Sequence, residues 1–435
     1  METAVLLLFA AGLVLCLVLG LSLLYALAAG LVLFLLYGLK KGFSFGALVK
    51  MCASGVREAG NILITFMLIG MLTALWRASG TIAVLVTYAS ALIRPPVFLL
   101  MTFLLNAGVS VLTGTSLGTA ATVGVITATM GRALGVPVLY TGGAVLAGAY
   151  FGDRSSPVST SALLVSEQTG TDIFENLRAM FRTALVPFLI CCVLYLLLGF
   201  FTPHAGEAVS LGGVFETEYR LTPVLLVPAL AVLVCAAFRL RVKAIMTVGI
   251  LTGAVLALWV QKIPPLTLLG YCVTGYTAKQ PAVAAMMDGG GLVSMLRVGA
   301  IVCISSAYSG IFRETGLLDG IGRRITAWSE KLTPFGAMLV TSAGMSMLAC
   351  NQTLAIMLTN RLCSACVPDD KQRALYLENS VVVLAPLVPW SVAGAVPLAT
   401  VGAGAASLPF AFYLYLLPLC RLAAELAGRN RTKPD

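Results

Sequence analysis

A chain of 435 residues in which 59% are hydrophobic and only 11% charged, with a mean hydropathy of +0.98, is not built for water, where about a quarter of residues carry charge. The formal charge of +10 would suit nucleic acid, but the basic residues sit in short loops between apolar runs, where orientation in a membrane explains them. No nucleic acid is expected as a partner, and the lipid bilayer takes that place.

Apolar stretches of about 17 to 25 residues recur along the chain, each able to cross a hydrocarbon core of roughly 30 Å. Lipid tolerates no unpaired backbone, and the runs lack the alternation of barrel strands. The expected class is therefore all-α, a polytopic membrane protein of about ten transmembrane helices and two re-entrant hairpins. The opening METAVLLLFAAGLVLCLVLG has no positive leader and no small-residue cleavage site, and it runs into a second apolar segment. Two retained spans are expected there.

Trp76-Arg77-Ala78-Ser79-Gly80 is echoed by Phe312-Arg313-Glu314-Thr315-Gly316, 236 positions later, and the same offset pairs Gly55 with Gly291, Ser110 with Ser346, Tyr140 with Tyr376 and Ser155 with Ser391. An ungapped register of this kind predicts an internal duplication. Lys40, Lys41, Lys50 and Arg57 precede the first copy's span, whereas Arg313, Arg323, Arg324 and Lys331 follow or end the second copy's. Positive charge marks the cytoplasmic side, so the copies are expected to be antiparallel, as in secondary transporters with inverted-topology repeats and discontinuous helices. The division is residues 1–202 for the first repeat, 203–220 for an external loop carrying His204, Glu207, Glu216 and Glu218, and 221–435 for the second repeat. Arg239, Arg241 and Lys243 read as internal, as do Arg421, Arg429, Arg431 and Lys433, and both termini are expected in the cytoplasm.

Breaks in the apolar pattern mark candidate binding elements. Thr113-Gly114-Thr115-Ser116-Leu117-Gly118-Thr119 places glycines and hydroxyls inside a membrane segment, predicting an unwound turn whose oxygens suit an alkali cation; close helix packing is the alternative. At the repeat offset stand Cys350, Asn351, Gln352 and Thr353. Farther on, Asp153 and Arg154 end an apolar arm before Ser155, Ser156 and Pro157, reading as a re-entrant tip. A carboxylate at such depth costs about 2.5 to 3.5 kcal/mol and asks for a purpose, although pairing with Arg154 or capping the next helix is open to it. Glu378, with Asn379, begins a second arm broken at Pro386, Pro389, Trp390 and Ser391; a surface glutamate in a first helical turn is its alternative.

The eleven cysteines mostly lie in apolar runs, and the pair Cys363 and Cys366 lacks partners for a metal site. The single histidine, His204, is outside the expected membrane core, so carboxylates must carry any protons.

Ala149-Tyr150-Phe151-Gly152-Asp153-Arg154-Ser155-Ser156-Pro157-Val158-Ser159, Leu377-Glu378-Asn379-Ser380 and Pro386-Leu387-Val388-Pro389-Trp390 resemble, in order, the motifs of the NhaC-type sodium/proton antiporters, and Gly114 to Thr119 is similar to that family's G-T-S-x-G-T element. The resemblance covers most of the chain and implies a bacterial inner-membrane carrier with Na+ and H+ as transported ions and no cofactor. It departs at Thr160 and Asn379, where the family often has Asp.

The reading that follows is antiport in which Asp153 alternates between protonated and sodium-bound states. Thr115, Ser116, Asn351 and Ser391 supply neutral oxygens, with Asp153, Thr115 and Asn351 as the Na+ ligands. Ser155, Ser156, Gln352, Glu378 and Asn379 complete the candidate set, and Gly114, Gly118, Pro157, Pro389 and Trp390 shape it. The second reading is a coupled carrier of a small organic anion or amino acid held by Arg154. A channel and an intramembrane enzyme fit less well, because the breaks are paired and no H-E-x-x-H is present. A small organic anion and a second copy of the chain, in a homodimer, are left open as partners.

Overall fold

The computed structural model describes residues 2–19, 21–92, 95–157, 159–202, 211–238, 240, 242–315, 332–349 and 351–431. Expectations attached to His204, Glu207, Arg239, Arg241, Arg323, Arg324, Lys331, Cys350 and Lys433 lie outside the described residues. Within them the fold is all-α, as composition demanded; helices are joined by short turns, and a single isolated β-bridge pairs Tyr276 with Gly289 among the described residues.

Ile173–Phe201, 29 residues long, reaches about 43 Å at 1.5 Å per residue and crosses a bilayer by length and composition. One face carries exposed Leu185, Leu189, Val193 and Leu197, and the other buries Ala184, Pro187, Cys191, Tyr195 and Gly199. A face of large exposed apolar groups on a helix this long is what lipid contact requires. Two further segments reach spanning length only as bent pairs: Leu63–Ala78 with Thr81–Tyr88, bent by 66°, and Asp370–Leu387 with Val392–Thr400, bent by 55°. Gly80 turns the first through a φ of +80°. The remaining apolar helices, such as Phe98–Thr113 and Pro334–Ala349, hold 10–17 residues.

Phe98–Thr113 and Pro334–Ala349 have 16 residues each and begin 236 positions apart. Each is followed by a break and a new helix: Ser116–Thr119, which runs through a π-helical turn at Ala120–Gly124 into Val125–Ala133, and Gln352–Cys363.

At the centre lies Val138–Arg154, buried on nearly every side from Thr141 onward. It packs along Phe98–Thr113, and glycine makes that contact possible. A Cβ at Gly148 would lie 2.5 Å from the Phe103 carbonyl oxygen, and one at Gly152 would lie 2.3–2.5 Å from Ser110 and Val111. With no hydrophobic drive between helices in lipid, this small-xxx-small spacing lets van der Waals contact and short polar links hold the pair. Ser110 Oγ donates to the Ala149 carbonyl at 2.5 Å across this seam, and Asn106 Nδ2 ties Phe98–Thr113 to a third helix, Val125–Ala133, through Thr127 Oγ1 at 3.3 Å.

Gly152→Ala should therefore be costly, since rigid backbone has to move; overpacking of this kind costs about 1–3 kcal/mol. Gly108→Ala on the neighbouring helix meets nothing within 4 Å and should be neutral or mildly stabilising. Thermal melting of the two purified variants, side by side, checks this, and equal melting temperatures would refute the packing argument.

Candidate functional site

The first break is built by three residues in succession. Gly114 ends its helix in the left-handed region, with φ at +64°. Thr115 is extended, with φ at −152°, and its hydroxyl accepts the Gly118 N–H at 3.3 Å, capping the new helix. Ser116 is the first residue of that helix, where a backbone N–H has no partner inside the helix. Its hydroxyl and its N–H both face the carboxylate of Asp153.

Asp153 is the penultimate residue of Val138–Arg154 and is 4% exposed. Ser159 Oγ donates to its Oδ1 at 2.8 Å. Ser159 Oγ also accepts the N–H groups of Ser161 and Ala162 at 3.2 and 3.3 Å, so Ser159, and not Asp153, caps the following helix Thr160–Thr169. Thr160 itself is exposed on the first turn of that helix. One turn before Asp153, Tyr150 donates its hydroxyl to the Ala393 carbonyl at 2.8 Å and also lies beside Ser116. Tyr150 thus ties the first break to Val392–Thr400, whose cap is Ser391, accepting from the Ala393 N–H at 3.4 Å.

Arg154 is completely buried. Nε donates to the Glu378 carbonyl at 3.0 Å, one terminal nitrogen to the Met180 carbonyl and the Tyr413 hydroxyl at 3.3 Å each, and the other to Thr183 Oγ1 at 3.1 Å and Asn379 Oδ1 at 2.6 Å. All five N–H donors of the guanidinium therefore meet neutral oxygens. Among the described residues the ion pairs are Lys371 with Glu175 and Arg373 with Asp370; Arg154 makes none with Asp153 or Glu378, although both acids are close enough to interact with it or with one another through space.

Glu378 corrects an expectation. It does not begin an arm or sit on a surface: it is the penultimate residue of Asp370–Asn379, 1% exposed, with Oε2 lacking any hydrogen-bond partner. Asp153-Arg154-Ser155 and Glu378-Asn379-Ser380 are thus two helix ends of one design, an acid followed by a polar residue and a serine at the break. Asn379 Oδ1 also accepts from Thr183 at 3.2 Å, while its Nδ2 and the buried Ser155 Oγ have no partner. Ser156 is buried beside them, and Pro157 is half-buried in the turn.

The other candidates hold helices in place. Asn351 Oδ1 caps its helix through the Thr353 N–H at 2.9 Å, Gln352 Nε2 donates to the Val382 carbonyl at 2.9 Å, and Trp390 Nε1 donates to the Met347 carbonyl at 2.8 Å. Pro389 lies in the turn before Ser391, and Gly118 is buried in the first turn after the break. Sequence reasoning did not assign Ser159 or Tyr150 to the site, though both stand inside the motif around Asp153. Thr183 and Tyr413, on long apolar helices, give no sequence signal at all.

The arrangement is two carboxylates around one buried arginine, with hydroxyls on the first and a broken-helix N-terminus aimed at it, all sealed from solvent. It can hold a proton or a small dehydrated cation. The profile described as the Na+/H+ antiporter family matches residues 3–170 and 148–424. The Na(+)/H(+) antiporter NhaC of Alkalihalophilus pseudofirmus is 28% identical over 376 residues, 83% of this chain and 80% of that protein. The Malate-2H(+)/Na(+)-lactate antiporter of Bacillus subtilis is 26% identical, over 80% of this chain and 77% of its own length, and the arginine/ornithine antiporter ArcD of Halobacterium salinarum is 27% identical, over 86% and 80%. The chain belongs to the Na+/H+ antiporter family and is a secondary transporter of its NhaC branch.

Proposed function

We propose that the transporter exchanges sodium for protons at Asp153. The observation that carries this reading is the charge around Arg154: with Asp153 and Glu378 both ionised, the three buried groups sum to −1. One bound proton or one bound sodium ion restores neutrality. Burial makes the uncompensated state costly, so the empty site resists reorientation, and exchange follows from competition between the two cations for one charge. Ser116 and Ser159 supply neutral oxygens to a sodium ion at Asp153, and Glu378 is the second acid of the set. Asn379 matters for the count: the Asp that the family often carries there would lower the sum to −2.

The alternating exposure that exchange needs is supplied, in this reading, by an inverted repeat. Two equal helices 236 positions apart, each ending in a break followed by a side-chain cap at Thr115 or Asn351, support it, as does the asymmetry of basic residues. About ten membrane crossings, two re-entrant segments, cytoplasmic termini and a bacterial inner-membrane location belong to the same proposal.

Asp153→Asn keeps volume and most hydrogen-bonding capacity but removes the charge and the proton. In proteoliposomes it should abolish sodium-driven proton movement, with Asp153→Glu retaining part of it at a shifted pH; normal exchange by folded Asp153→Asn protein would remove this residue from the mechanism. Asn379→Asp should change the number of protons moved per sodium, measured from the pH gradient at which exchange stalls against a fixed sodium gradient. An unchanged ratio would count against charge balance as the governing rule. For orientation, Thr217→Cys should react with an impermeant thiol reagent added outside cells and Lys41→Cys should not; equal labelling would sink the proposed topology.

A further inference from the structure

A second buried arginine is housed in the opposite way to Arg154. Arg77, in the last turn of Phe45–Ala78, is 4% exposed. Its Nε has no partner, and among the described residues no hydrogen bond or ion pair holds the rest of the guanidinium. A buried cation without a counter-group is among the least tolerable arrangements in a folded protein. The surroundings do not relieve it. Arg132 is near enough to repel it, and Asp288 and Tyr219 are its other electrostatic neighbours.

The nearby acids are already engaged. Asp288 Oδ1 accepts the Ala278 N–H at 2.7 Å on the exposed side of its turn. Glu218 accepts the Tyr276 hydroxyl at 3.0 Å and the N–H groups of Lys279 and Gln280 at 2.7 and 3.0 Å. Arg132 donates to the carbonyls of Val401 at 2.6 Å and Met286 at 3.4 Å, so neither arginine is hydrogen-bonded to an acid among the described residues, and Asp288 acts on Arg77 only through space. Tyr219, buried, also has a hydroxyl without a partner at hydrogen-bond geometry.

A cavity of about 500 Å³ lies beside this place, its wall including Ala78, Glu218, Tyr219, Lys262, Tyr276 and Lys279. Lys262 has a φ of +59°, the one non-glycine among the described residues in the left-handed region, a conformation that unbranched residues adopt only when the surroundings impose it. The cavity offers Lys262 and Lys279 and aromatic faces at its wall, with Glu218 held there by its hydrogen bonds to Tyr276, Lys279 and Gln280, and the Arg77 guanidinium lies behind Tyr219 rather than in the wall.

We propose that Arg77 holds the carboxylate of a small organic acid in a second site, entered through this cavity and separate from Asp153. Two features select a carboxylate over a halide. The guanidinium fork matches two oxygens in a plane, and the Tyr219 hydroxyl, beside Tyr276 but outside strict hydrogen-bond geometry, can add a third donor; the cavity is also far larger than a halide ion needs. The proposal is independent of sodium/proton exchange, because none of its residues touches Asp153, Arg154 or Glu378.

The test is thermal melting of the purified full-length protein with acetate, lactate or malate, against chloride at matched sodium and ionic strength. At least one carboxylate should raise the melting temperature saturably, by roughly 5 °C, and the chloride control should not. Arg77→Met, which removes the charge and keeps much of the volume, should abolish the response and melt no lower than the parent in chloride. Tyr219→Phe should weaken apparent affinity about tenfold and serves if Arg77→Met does not fold. Asp153→Asn protein should keep the full response, so failure of the exchange mechanism and failure of this site are separable. The assignment is overturned if none of the three carboxylates shifts melting, if chloride shifts it equally, or if Arg77→Met responds like the parent.

Discussion

A guanidinium without water must find an acceptor for every donor, and the way Arg154 meets that requirement fixes the geometry of the site. Its partners come from the Asp370–Asn379 helix, from the long spanning helix at Met180 and Thr183, and from Tyr413 on the C-terminal helix. Four helices are therefore pinned to one side chain. Because all five acceptors are neutral, the positive charge is held in place without being cancelled locally. It reaches Glu378 through space and leaves both carboxylates free of direct ion pairs among the described residues. An Arg154 paired directly with Asp153 would have locked that acid out of cation chemistry.

Packing in this bundle serves the same end. Gly148 and Gly152 bring Val138–Arg154 against Phe98–Thr113 more closely than any side chain would permit, and the link from Ser110 to Ala149 crosses the seam. The helix that carries Asp153 is thus clamped to the helix that ends at Gly114. Ser116 meets the carboxylate because the two helices have little freedom to slide, so the small residues of the G-A-Y-F-G-D stretch contribute to position as much as the acid contributes to charge.

The sequence made some of this legible and concealed the rest for definable reasons. A lone acid after an apolar arm stands out at any depth, and glycines flanked by hydroxyls announce a break, so Asp153 and the turn from Gly114 to Ser116 could be read directly. Glu378 stands in the candidate set, but its burial is not legible: it follows Asp-Lys-Gln-Arg, which reads as a solvated first turn, and nothing in that composition says that the helix end enters the core. Thr115 and Asn351 are candidate ion ligands by residue type, and in this conformation both cap helices; caps and cation ligands use the same oxygens, so residue type and spacing do not separate the roles. The long spans are harder to count than hydropathy suggests, since among the described residues only Ile173–Phe201, and two bent pairs if each is taken as one span, are both long and apolar enough to cross a membrane.

The π-helical turn at Ala120–Gly124 gives the first broken helix a property that a regular one would lack. Its far half is anchored where Asn106 reaches Thr127, and its near half where Ser116 faces Asp153. Between these anchors the wide turn stores the rotational slack of one residue. In an α-helix each residue advances about 100° around the axis, so drawing that slack out would swing Ser116 away from the carboxylate while Thr127 kept its place. The helix is thus a screw with one spare thread between two fixed points.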